Sequence, residues 1–436
     1  GTGLFTGLLP FVWFTNQPTN AGQMQNMVEF ETSELPANFA FNPNYKETLT
    51  QNPDMFPSTP GNEVPGAIAY VDPNFKMPQV WRSNVNAEFQ LPYGFMLSVG
   101  AMYTRDIYNV VQKNMNEKAP SGTYNEQPGR VYWTKNNYYD NPKTKTVIQL
   151  TNGDEKGYQY SFNAVLTKKF DFGFTGSFGY TYTMAKDMTA NPGSSAASVW
   201  QNNVAVNSLN DPGVSYSLFS TPHRLIANAS YEIAYANMKT TVSLFYTGYQ
   251  QGRFSYTYYN DINGDGNYSD LMYVPASKDE MTFVDIKDKQ NNVTYTAEEQ
   301  QEDFWNYVNS DSYLSERKGQ YVERASSLEP WIHRFDMKIA QDFYAKIGNR
   351  KYGIQVSLDM LNIGNLLNSK WGAYRSCGLQ SYDNVRLLKT ASKVGEPLTY
   401  QMNASSREAF QKNSKWDYTA STGSAWQMQL GVKFTF

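Results

Sequence analysis

The chain has 436 residues, with 37 Lys and Arg against 40 Asp and Glu. A net charge of −3 leaves no footprint for nucleic acid, and Cys377, the lone cysteine, excludes an intrachain disulfide or a cysteine-built metal site. Aromatic residues reach 15%, yet mean hydropathy is −0.59 and no run approaches the roughly 18 apolar residues of a membrane-crossing helix. Two classes fit: an aromatic-rich soluble β-protein, or a membrane barrel whose polar lumen dilutes hydropathy.

The sequence opens at Gly1 without Met or a signal peptide and so reads as a mature or partial chain. One or two strands are expected near residues 4–14, while 35–75 is rich enough in Pro, Asn and Gly to read as loop. Alternation at period two then begins. Val85, Ala87, Phe89 and Leu91 alternate with Asn84, Asn86, Glu88 and Gln90; after Pro92-Tyr93-Gly94 the pattern resumes with Phe95, Leu97, Val99, Ala101 and Tyr103. A second pair runs through Tyr158, Tyr160, Phe162, Ala164 and Leu166, turns at Asp171-Phe172-Gly173, and returns through Phe174, Gly176, Phe178, Tyr180 and Tyr182. A third joins 225–231 to 242–246 through Ala234-Tyr235-Ala236-Asn237, and a fourth joins 335–343 to 354–360 through Ile347-Gly348-Asn349-Arg350. The chain ends on a ninth strand in which Trp426, Met428, Leu430, Val432, Phe434 and Phe436 share one face and Gln427, Gln429, Gly431, Lys433 and Thr435 the other.

Within each pair the turn is a few residues; between pairs the chain spends dozens, over roughly 105–157, 187–222, 249–332 and 366–423. Soluble sandwiches favour short connections throughout, whereas short turns on one rim and long loops on the other characterise outer-membrane barrels. The expected fold is therefore all-β, an antiparallel transmembrane β-barrel with short periplasmic turns, long extracellular loops and a periplasmic carboxyl end. An open edge in lipid is untenable, so nine strands imply the carboxyl-terminal part of a larger barrel or a partner chain that closes it.

Local motifs suggest sites. His223-Arg224 and His333-Arg334 begin two strands; parity sends His223 and His333 outward and Arg224 and Arg334 toward the lumen, where they anchor the rim or line a path for an anionic or sugar ligand. Two histidines without a third ligand make a weak metal site. Asp261, Asn263, Asp265 and Asn267, with Gly266 at the bend, match the first seven positions of a calcium loop; Met272 stands where the bidentate Glu belongs, and Asp270 is the substitute. The same spacing also suits an Asx-rich turn that needs no ion. Thr296 and Glu299 form a capping box ahead of Phe304, Tyr307 and Val308, which predicts a helix packed on neighbouring loops. Trp200, Tyr216, Tyr256, Tyr258 and Tyr259 offer aromatic faces for sugars or for packing, and Cys377 reads as an unpaired loop thiol. Hydrolase, zinc-protease and nucleotide-binding motifs are absent from the sequence, so no enzyme activity and no organic cofactor are expected.

Several stretches resemble TonB-dependent outer-membrane receptors. They are Gly1-Thr-Gly-Leu-Phe-Thr-Gly-Leu-Leu-Pro-Phe-Val-Trp-Phe-Thr-Asn16, Asp72-Pro-Asn-Phe-Lys-Met-Pro-Gln-Val-Trp-Arg82, Thr221-Pro-His-Arg224, Pro330-Trp-Ile-His-Arg-Phe-Asp336 and Leu361-Asn-Ile-Gly-Asn-Leu-Leu-Asn368. With Gly252-Arg-Phe-Ser-Tyr256 and the 261–270 segment, the likeness is to the Oar-like subgroup common in Bacteroidetes. It implies a 22-stranded barrel, of which residues 1–436 would be the carboxyl-terminal portion, with a plug and TonB box upstream. It also implies nutrient uptake driven by the TonB complex, and partners among outer-membrane lipid, a nutrient ligand and a surface lipoprotein. The alternative is a structural or adhesion barrel whose extracellular loops bind surface partners without import.

Overall fold

Strands of alternating apolar and polar residues can satisfy every backbone group only by pairing side to side, and ten of them do so in one antiparallel array. The computed structural model describes residues 1–13, 31–35, 39, 42–44, 46–47, 67–134, 138, 146–348, 350–381, 383–403, 407 and 415–436. The wall strands are β1 (Thr2–Thr6), β2 (Gln79–Leu91), β3 (Phe95–Tyr108), β4 (Tyr158–Lys169), β5 (Phe174–Asp187), β6 (His223–Tyr235), β7 (Met238–Gln250), β8 (Trp331–Ile347), β9 (Arg350–Leu361) and β10 (Gln427–Thr435). They neighbour one another in chain order from β1 to β10, and the short strand Ser215–Tyr216 pairs with the end of β5. Among the described residues β1 and β10 are the two edges and do not pair with each other.

Register converts the sequence alternation into two continuous faces. Phe89, Leu97, Leu166, Phe178, Ala227, Tyr246 and Phe335 lie in one cross-strand row, and Val242, Ile339, Leu358 and Leu430 in another. Between them on the opposite face run Ser230, Ser243, Lys338, Asp359 and Gln429. There Ser230 and Ser243 share a 3.0 Å hydrogen bond, and Lys338 Nζ donates to Asp359 at 2.7 Å. The apolar rows remain open, Leu430 at 72% exposure and Phe178 at 51%, as side chains facing lipid require. Among the described residues no helix is long and apolar enough to cross a membrane.

The short turns hold this register. Gly173 sits at φ +94, and a Cβ there would come within 2.3 Å of the Glu232 carbonyl oxygen. That position admits only glycine without backbone movement. On the lumen side, a Cβ on Gly100 would meet the Asn86 and Asn163 amides at 2.5 and 2.7 Å, so the missing side chain makes room for two polar ones.

A strand expected near residues 4–14 forms as β1, the tenth of the wall, which pairs Leu4 with Trp81 and Thr2 with Ser83 and is followed by a short 3-10 turn, Phe11–Trp13. One expectation is corrected. Residues 35–75 are not all loop: Ala67–Val71 forms a strand parallel to Thr146–Thr151, a pairing between segments far apart in sequence that local propensity cannot reveal. The long connections fold together on the long-loop rim around a core of their own, in which Phe254, Tyr256, Tyr258, Met272, Val274, Phe304, Val385 and Leu387 are buried. A second cluster joins Ile148 and Leu150 to Val199 and Trp200 of the helix Ala196–Gln201.

Candidate functional sites on the lumen face and in the loop domain

β6 and β8 flank β7, and this adjacency brings together two arginines 110 positions apart in sequence. Arg224 pairs across the sheet with Tyr249, and Arg334 with Thr247. Both therefore lie on the polar face, as parity predicts, and with Thr221, Tyr249 and Asp336 they line a pocket of about 470 Å³. Neither guanidinium forms an ion pair with a described carboxylate; Arg224 lies 6.0 Å from the Tyr249 ring, and Asp336 accepts from the Asn362 backbone at 2.7 Å. The buried Thr247 Oγ1 in the same pocket has no hydrogen-bond partner. Two cations and an unsatisfied hydroxyl at the lumen rim are suited to hold an anionic or hydroxylated ligand.

On the other face the histidines join an aromatic belt. His223 Nδ1 hydrogen-bonds to Tyr180 Oη at 2.7 Å and His333 Nδ1 to Tyr246 Oη at 2.8 Å. The Trp331 ring stacks between the two imidazoles, at 6.1 Å from His223 and 5.7 Å from His333. Gly248, opposite His333, leaves the space that the Tyr246 hydroxyl fills. An aromatic ring system with polar tips at one end of the apolar face is the composition of a membrane–water interface.

The 261–270 loop is buried in the loop domain and uses its oxygens on its own backbone. Asp261 accepts from Gly264 and Gly266 at 2.6 and 2.8 Å, Asn263 from Asp265 at 2.8 Å, and Asp265 from Asn267 at 2.7 Å. Positive φ at Gly264 and Gly266 permits this winding. Asp270 accepts from Ile262 at 3.2 Å and forms an ion pair with Arg130 at 3.1 Å. Burial, then the Asp261 charge, pushes Asp265 up to about 7; burial and Asp265 hold Asp270 well above the carboxylate range against the pull of Arg130. Among the described residues no group of three or more His, Cys, Asp or Glu is arranged to hold a metal. The carboxylates crowd one another, and their present arrangement is an Asx-wound turn.

Arg130 is the residue that sequence reading misses. Fully buried, it donates from Nε to Gln127 at 2.6 Å and from Nη1 to the Val206 carbonyl at 2.9 Å, and its Nη2 donates to the Leu271 carbonyl. Its guanidinium also lies 5.5 and 5.0 Å from the Tyr258 and Tyr321 rings. Gln127 in turn donates to the Tyr258 and Tyr400 hydroxyls at 2.8 and 2.7 Å. No local motif marks this hub, whose partners come from four separated stretches.

The aromatic candidates divide. Trp200, Tyr256 and Tyr258 are core residues, Tyr256 donating to Asp311 at 2.6 Å, and so cannot stack on a ligand from outside; Tyr259 stays 52% exposed. Helix Ala297–Ser310 forms as its capping box predicts, Thr296 accepting from the Glu299 amide at 3.2 Å, and it buries Phe304 and Val308. Cys377 is free and buried in the loop core, and burial pushes its thiol up.

A family model described as "Outer membrane beta barrel domain" matches residues 1–371. No curated protein matches the chain. Among solved structures, the crystal structure of the outer membrane transporter YddB from Escherichia coli is similar at 10% identity, covering 86% of this chain and 35% of that one with a TM-score of 0.36. The chain thus spans about a third of that transporter's length.

Proposed function

The chain belongs to the outer-membrane β-barrel domain family, and we propose that it is the carboxyl-terminal barrel portion of a non-enzymatic TonB-dependent receptor, of the Oar-like kind, that takes up a nutrient. In this reading the wall continues into a 22-stranded barrel, the loop domain is extracellular, and β10 ends in the periplasm. The plug that engages the TonB complex lies upstream, and the apolar face meets outer-membrane lipid. The motif order given above supports the family subgroup. The observation that carries the transport reading is the convergence of Arg224 and Arg334 on one lumen pocket. A ligand passing that rim meets two cations without described carboxylate partners, each worth about 1.5–3 kcal/mol to an anionic group.

In cells whose growth depends on the complete receptor, Arg224→Gln with Arg334→Gln is expected to cut uptake by roughly tenfold or more, at unchanged surface levels. Unimpaired uptake would remove the pocket from the transport path. The folded loop domain favours the alternative of an adhesion barrel, because four connections build a common core where a channel needs only a gate. Uptake that stops when TonB is inactivated supports the receptor; surface binding indifferent to TonB supports adhesion.

The proposal includes a structural calcium at Asp261, Asn263, Asp265, Asn267 and Asp270. The residues that would hold it now hold the turn, and three carboxylates face one guanidinium there. A cation would relieve that repulsion and stiffen the loop domain. Calcium at about 100 times its dissociation constant should add about 2.7 kcal/mol of loop stability, seen as a rise in Tm that chelation reverses and Asp265→Asn abolishes. A melting curve indifferent to calcium would show that the turn works without an ion.

A further inference from the structure

A second cavity, of about 360 Å³, lies inside the loop domain and shares no lining residue with the pocket of Arg224 and Arg334. Its lining contains Arg324 and Arg386. Arg324 is 5% exposed; its Nη1 donates to Asn203 at 3.1 Å and its Nη2 to Asp187 at 3.0 Å, but its buried Nε–H has no partner among the described residues. Arg386 donates from Nη2 to the Tyr268 carbonyl at 3.2 Å, and its buried Nε–H is likewise unmatched. The Asn267 side chain, 7% exposed, lines the same cavity with an unpartnered Nδ2. Two guanidinium Nε–H groups and an amide are thus buried with donors unused, and burial holds both arginines below the ordinary guanidinium range. Native interiors rarely leave such groups unmatched.

Arg324 already holds an ion pair with Asp187 through Nη2, so the acceptor that fits is a carboxylate that offers one oxygen to each of the two unmatched Nε–H donors. A bare anion would also meet Asp383, which lines the cavity and forms no ion pair with a described residue. A ligand that carries hydroxyl donors beside its carboxylate satisfies both signs of charge. The size is that of a small organic ligand, and Val204 and Leu218 supply an apolar patch for the C–H face of a ring. From these features we propose that the cavity binds an acidic sugar, its carboxylate held by Arg324 and Arg386 and a hydroxyl donated to Asp383. Gly266 to Ser269 of the Asp-rich loop form one wall, so the bound sugar also fixes that loop.

Calorimetric titration of the detergent-purified complete receptor with galacturonate, galactose and acetate tests this. Galacturonate should bind at least about tenfold more tightly than either galactose, which lacks the carboxylate, or acetate, which lacks the hydroxyls. Arg386→Gln should weaken galacturonate by at least about tenfold, Asp383→Asn should narrow its advantage over acetate, and Arg224→Gln with Arg334→Gln should leave its affinity unchanged. Matched melting curves establish that the variants fold, and Asp383→Asn leaves the arginine network intact should Arg386→Gln misfold. No galacturonate binding, equal affinity for galactose, or indifference to Arg386→Gln in a folded chain would each overturn the assignment. Loss of binding with the Arg224 and Arg334 variant alone would move the sugar to the wall pocket.

Discussion

Leu244→Arg is expected to destabilise the folded wall in a bilayer by about 2–4 kcal/mol, while Asn228→Arg changes it by no more than about 0.5 kcal/mol. The two positions are close in the sheet: Leu244 pairs with Ala229 and Met337, and Asn228 with Ser177 and Phe245. They differ in face. Leu244 is the central residue of β7, on the apolar side between Val242 and Tyr246, so a guanidinium there must shed water into hydrocarbon. Asn228 shares the polar side with Ser230 and Arg224, where water remains available. Urea unfolding in phospholipid vesicles measures both. Equal costs would mean that the apolar face does not meet lipid.

Arg130→Met is expected to release the loop domain, costing about 3–5 kcal/mol of its stability, with the wall left intact. Methionine refills much of the volume, so the loss is electrostatic. Asp270 keeps its place beside Asp265 with no cation to balance it, and the Gln127, Val206 and Leu271 acceptors lose their donors. Removing both charges, Arg130→Met with Asp270→Asn, should recover part of the loss, because a buried pair is costly to break and cheaper to replace. Hydrogen exchange resolved by segment checks this. Faster exchange at 253–258 and 384–390 with unchanged protection in β6 and β7 supports the hub; an unchanged loop domain would contradict it.

These two sites also mark what the sequence shows and what it hides. β7 was readable because one face is wet and the other is not, so Val242, Leu244 and Tyr246 stand out at period two. The placement of Arg224 and Arg334 on the polar face followed from the same parity, and so did the outward histidines. Arg253–Tyr258 is buried at all six positions and pairs in parallel with Asn384–Thr390, about 130 residues away. With both faces covered there is no alternation to read, and strands of two to seven residues carry little local signal. For that reason the sequence leaves Tyr256 and Tyr258 open between sugar stacking and packing, and no local signal marks Arg130. Thr296 and its helix were legible because a capping box is complete within four residues.

The central claim is that one face of this sheet meets lipid and the other water, and β10 is the place to measure it. Single cysteines from Gln427 to Thr435, in a chain carrying Cys377→Ser, can be labelled with a fluorophore and exposed to brominated lipid. The account predicts strong quenching at 428, 430, 432 and 434 and weak quenching at 427, 429, 431, 433 and 435. Uniform quenching, or the opposite parity, would contradict it.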